Sequence, residues 1–136
     1  MPRIIKLRTL VVLQIVFAIA SVSYLLLSAW KEHTTGEALS AAPIIPSIVL
    51  FILYGFGLYL SKFPKKSMYR IAMGLAILVF GGGGVLGNIL RYMDSGLDQY
   101  ASFTTYVLAV AINGYGTILN IIAVLGLFTF NTKNPN

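Results

Sequence analysis

Cysteine is absent from the 136 residues, histidine occurs once, and four acidic residues stand against ten lysines and arginines. The missing cysteines exclude disulfides, thiolate metal sites, iron–sulfur clusters and cysteine nucleophiles together, and leave the redox compartment unspecified. Charge of either sign is scarce: charged residues make up 10% of the chain, against about 25% in an ordinary soluble domain. With 57% apolar residues and a mean hydropathy of +0.83, that scarcity excludes a water-soluble globular domain.

Long apolar runs take the place of the missing charge. A hydrocarbon core about 30 Å thick needs about 20 consecutive apolar residues in a helix, and four segments meet or approach that length: 10–30, 44–60, 71–90 and 103–130. None of them contains an acid or a base. Pro43 and Pro46 suit the start of the second segment, because a proline's missing N–H is harmless in the first helical turn. The first segment runs on through Leu25, Leu26 and Leu27 to Trp30. It is therefore longer than a signal peptide's apolar core of about 7–15 residues and reads as a span. The connections between segments are short, which makes consecutive helices antiparallel neighbours. The fold class expected is an all-α integral membrane protein, a single domain over residues 1–136 forming a four-transmembrane-helix antiparallel, up-down-up-down bundle.

The few charges are unevenly placed. Arg3, Lys6 and Arg8 precede the first segment, Lys62, Lys65, Lys66 and Arg70 lie between the second and third, and Lys133 follows the fourth. Lys31, Arg91 and all four acids, Glu32, Glu37, Asp94 and Asp98, fall on the alternate side. Lysine and arginine bias of short flanks sets orientation in the membrane, so both termini are expected in the cytoplasm, with a bacterial cytoplasmic membrane as the default location. The net charge of +6 is then a collar facing anionic headgroups, and a nucleic-acid partner is not implied. Trp30, Tyr69, Tyr92 and Tyr100 stand where aromatic belts are expected.

Within the segments, small and polar residues recur at steps of three and four, the spacing that places them on one helical face. Gln14, Ser21 and Ser28 do so in the first segment, Ser47, Tyr54 and Ser61 in the second, and Asn113, Gly116 and Asn120 in the fourth, with Thr117 one step aside. In the third, Gly74, Gly81, Gly84, Asn88 and Arg91 share a face. Four consecutive glycines, Gly81, Gly82, Gly83 and Gly84, followed by Gly87, weaken a helix by about 1 kcal/mol each relative to alanine. Close approach of a neighbouring helix over the missing side chains is the natural compensation. Gly74, Gly81, Gly82, Gly83, Gly84 and Gly87 are accordingly the candidate packing or partner interface. Gln14, Asn88, Arg91, Asn113, Thr117 and Asn120 are the candidate lining of a polar path.

The stretch Gly83-Gly84-Val85-Leu86-Gly87-Asn88-Ile89-Leu90-Arg91-Tyr92 resembles the GGxxGxxxRY stretch of the small four-helix fluoride channels, and Gly116-Thr117 with Asn120 is faintly similar to the next helix of that family. The resemblance implies passage of a small anion. It departs from the family in placing the motif in the third helix rather than the first, with Phe103-Thr104-Thr105-Tyr106 as a poor counterpart of the family's threonine- and phenylalanine-rich break. These departures leave a local match, not membership.

Sites for chemistry are thin. His33, with Glu32 and Glu37 near it, is too small a set for a haem or metal centre, and no span carries a base beside a hydroxyl to make a nucleophile. Arg91 and Asp94 are spaced to pair on a helix. No cofactor and no catalysis are expected. The partners expected are the lipid bilayer and other membrane subunits or further copies of the chain. The reading is a non-catalytic structural or accessory subunit of a larger membrane complex or homo-oligomer; the alternative is a passive channel or facilitator for a small neutral or anionic solute.

Overall fold

The computed structural model describes residues 3–130 and is mostly helical. Lys133 and the polar tail from Asn131 to Asn136 lie outside the described residues. Among the described residues four helices are long and apolar enough to cross a membrane: Leu7–Thr35, Ile44–Lys62, Ser67–Ser95 and Phe103–Leu125, referred to below as spans one to four. Span one is the helix α1 (Leu7–Thr35). Span two is α2 (Ile44–Tyr59) with a closing 3-10 turn. Span three joins α3 (Ser67–Ala76) to α4 (Gly87–Ser95) through a π-helical segment, Ile77–Leu86. Span four is α5 (Phe103–Leu125).

The ends differ from the sequence-based boundaries for local reasons. Span one continues past Trp30 until Gly36 ends it in the left-handed conformation, φ 82°, which glycine adopts without steric penalty. His33 therefore sits in the last helical turn and not in a loop. Span four stops at Leu125 instead of Phe130, because Gly126 takes φ 72° and the chain turns extended. There β2 (Phe128–Thr129) pairs in parallel with β1 (Ile5–Lys6). The Arg70 Nε donates to the Val124 carbonyl at 2.8 Å, satisfying one of the carbonyls left over at a helix C-terminus with a cation that also suits its dipole. At the other end of span four, Ser102 and Thr105 form a reciprocal capping box.

Span one packs on spans two and four, and span three does the same, closing a ring of four helices. Glycine sets the closest approaches. A Cβ on Gly116 would overlap the Phe17 ring and one on Gly84 would overlap the Asn113 side chain. On Gly57 it would meet Ala72 at 3.2 Å. Phe17, Leu10, Met73 and Tyr69 are wholly buried at the centre, while Leu27, Phe56, Leu78 and Ile118 face outward, the apolar-out arrangement that lipid permits.

The long π-helical segment coincides with the glycine run. An i→i+5 helix is wider than an α-helix and normally appears as a single turn. Here ten residues adopt it, and the Gly87 N–H reaches back to the Gly82 carbonyl. Four residues without side chains remove the crowding that would otherwise hold the tighter winding, and span four lies against Gly81 and Gly84.

Candidate functional site

The polar side chains of the spans gather at two levels, separated by a layer of aromatic rings. At the lower level Tyr69 donates its hydroxyl to Gln14 Oε1 at 2.6 Å, and Gln14 Nε2 donates to Asn120 Oδ1 at 3.0 Å and approaches Met73 Sδ at 3.2 Å. Tyr54 donates to the same Asn120 Oδ1 at 2.7 Å. Gln14, Asn120 and Tyr69 are entirely buried. One side chain from each of spans one, two and four, with Tyr69 and Met73 from span three, thus meets in a single knot. Where no water competes, each such bond contributes about 0.6–2 kcal/mol to helix association. Asn120 Nδ2 is buried without a partner among the described residues.

Above the knot Phe17, Phe51, Tyr54 and Phe80 fill the axis. Phe51 and Phe80 stack with centroids 4.6 Å apart, and Phe17 sets its edge against Tyr54 at 5.5 Å and Phe80 at 5.3 Å. These arrangements are the favoured ones for ring quadrupoles.

The upper level is a cavity of about 270 Å³ bordered by all four spans. Asn88 and Arg91 come to it from span three, Asn113 from span four, Ser21 from span one and Ser47 from span two. Arg91 Nη1 donates to Asn88 Oδ1 at 2.9 Å and to the Tyr100 hydroxyl at 3.2 Å, and Tyr100 itself donates to Asn88 Oδ1. Asn88 and Asn113 spend their own amide N–H groups on the backbone carbonyls of Gly84 and Ala109, as Thr117 spends its hydroxyl on Asn113. The Ser21 hydroxyl is buried with no partner among the described residues.

Of the candidate path residues, Asn88, Arg91 and Asn113 thus share the cavity. Gln14 and Asn120 belong to the knot below, and Thr117 lies against Gly81. Of the candidate interface glycines, Gly81 and Gly84 face span four, Gly74 lies at ordinary contact from Val124, and Gly87 is near the Gly82 carbonyl. Gly82 and Gly83 have nothing within 4 Å of where a Cβ would stand.

Two expectations need correction. Tyr69 and Tyr100 are buried rather than displayed as belt residues, because their hydroxyls find Gln14 and Asn88 inside the bundle. Arg91 turns to Asn88 and Tyr100 and not to Asp94, which is exposed. Sequence reasoning passed over Ser21 as a partnerless hydroxyl and Tyr69 as a donor. The regular step from Gln14 through Ser21 to Ser28 was the signal for the first; a tyrosine near a span end gave none for the second. Comparison of the chain with protein-family models, with curated proteins and with solved structures finds no match.

Proposed function

We propose that the chain is a non-catalytic, four-span subunit of a larger membrane complex or homo-oligomer, seated in a bacterial cytoplasmic membrane as an antiparallel bundle with both termini inside. The single observation that carries the non-catalytic, non-conducting reading is the filled axis. The knot beneath the ring layer engages its polar groups with one another, and the outer surface is free to meet a partner. Gly82, exposed on span three with open space before it, offers a partner helix the close approach that lipid-embedded helices use.

The orientation is supported by contacts at the two ends. Arg70 bonds to the end of span four beside the β1–β2 pair, so the basic residues from 3–8 and 62–70 gather at one end. The Ala101 N–H bonds to the Leu39 carbonyl, which joins the two connections carrying Glu37 and Asp98 at the other end. The basic end is the cytoplasmic one by the positive-inside rule.

Native mass spectrometry of the protein extracted gently from its own membrane tests the proposal. The expected result is a stoichiometric assembly that Gly82→Leu disrupts while the chain remains folded. A bare monomer surviving gentle extraction overturns it and favours the solute facilitator, for which the upper cavity would be the vestibule.

A further inference from the structure

The exposed residues that line the upper cavity come from one pair of spans. The lining residues exposed to the surroundings are Pro43, Pro46, Leu50, Val79 and Gly83, all from the start of span two and the π-helical segment. Lower down these spans touch, with Gly57 against Ala72 and Met73 and Phe51 stacked on Phe80; above that contact they part. The window therefore opens sideways between two apolar spans, toward the medium that surrounds them. Gly83 keeps it clear, since a side chain there would stand in space that nothing else occupies.

Inside, the chemistry has one sign. Arg91 is the one charged residue among those lining the cavity, and no carboxylate accompanies it. Its Nη1 is engaged by Asn88 and Tyr100, which holds the guanidinium in place and leaves Nε and Nη2 to donate elsewhere. Ser21 lines the same chamber, its hydroxyl buried and without a partner among the described residues. A buried polar group lacking its hydrogen bond is unfavourable, and a fixed guanidinium binds carboxylate or phosphate oxygens strongly. The floor, by contrast, is the stacked pair Phe51 and Phe80.

We propose that this cavity binds the head of a single anionic amphiphile, a phosphate or carboxylate group on an apolar chain. The head rests on Arg91 and the chain leaves through the window between spans two and three. A freely soluble anion has no reason to enter sideways through the hydrocarbon, whereas a molecule already dissolved in the bilayer needs only to slide in. The inference is independent of the subunit reading, because it concerns a site complete within one chain.

The full chain, purified in detergent, is titrated with phosphatidylglycerol, palmitate, phosphatidylcholine or inorganic phosphate, and bound molecules are counted by native mass spectrometry. The expected result is one tightly held phosphatidylglycerol or palmitate per chain; whichever binds identifies the head as phosphodiester or carboxylate. Arg91→Gln should weaken that binding at least about tenfold, the loss of a charge-assisted hydrogen bond. Gly83→Leu should weaken it comparably by filling the window while leaving Arg91 untouched, and its open surroundings allow the fold to survive. Lys62→Gln, at the opposite end, should leave the tight site intact. Equal retention of phosphatidylcholine, retention of inorganic phosphate as tight as either amphiphile, or indifference to both Arg91→Gln and Gly83→Leu overturns the proposal.

Discussion

Gln14 and Asn120 illustrate how single residues carry weight within one network. Gln14 accepts from Tyr69 and donates toward Asn120 and Met73, so replacing it strands a buried tyrosine hydroxyl as well as losing bonds. Asn120 accepts twice, so an apolar side chain there removes an amide nitrogen that is unpartnered among the described residues but strands both the Tyr54 hydroxyl and Gln14 Nε2. Gln14→Leu should therefore destabilise the folded protein by about 1–3 kcal/mol, and Asn120→Leu by at least as much. Thermal unfolding of the two variants in the same detergent measures both losses, and a clearly smaller loss for Asn120→Leu would show that the knot is not divided this way. Gln14 and Asn120 were legible as buried polar residues from their spacing on helical faces. That they meet each other was not, since 106 residues separate them.

At the scale of elements, the glycine run of span three does two different things within four residues. Gly84 receives Asn113, whereas Gly82 faces open space. Alanine at Gly84 would overlap that side chain, and overpacking of this kind typically costs about 1–3 kcal/mol. Alanine at Gly82 meets nothing and gains about 1 kcal/mol of helix propensity. The two single substitutions should thus shift the unfolding temperature in opposite directions, and a shared direction would mean that the segment is not wound as described. Four adjacent glycines announced a weak helix in the sequence. Their winding as a π helix depends on span four lying against Gly81 and Gly84, a contact that local propensity does not contain. The same limit applies to the end of span four, where Gly126 and the pairing of Phe128 with Ile5 stop a helix that hydropathy alone would extend to Phe130.

For the whole molecule, charge decides orientation and packing decides what the interior is for. The lack of cysteine makes topology simple to examine, because each introduced thiol is unique. Glu37→Cys and Lys65→Cys should react with a membrane-impermeant reagent from opposite faces of sealed vesicles, Lys65→Cys from the cytoplasmic face. Labelling of both from one face would refute the alternating arrangement.

The sequence by itself determined the membrane class, the four spans within a few residues of their ends, and the segregation of basic and acidic flanks. Each depends on properties summed along contiguous stretches of chain, which need no knowledge of neighbours. Tertiary structure alone decided that Tyr69 and Tyr100 turn inward, that the axis is filled by rings, and that Arg91 faces a cavity with a lateral window instead of pairing with Asp94. Those outcomes depend on which faces of four helices meet and at what height. Side chains of helices far apart in the chain must be brought within a few ångströms before a hydrogen bond or a void exists at all.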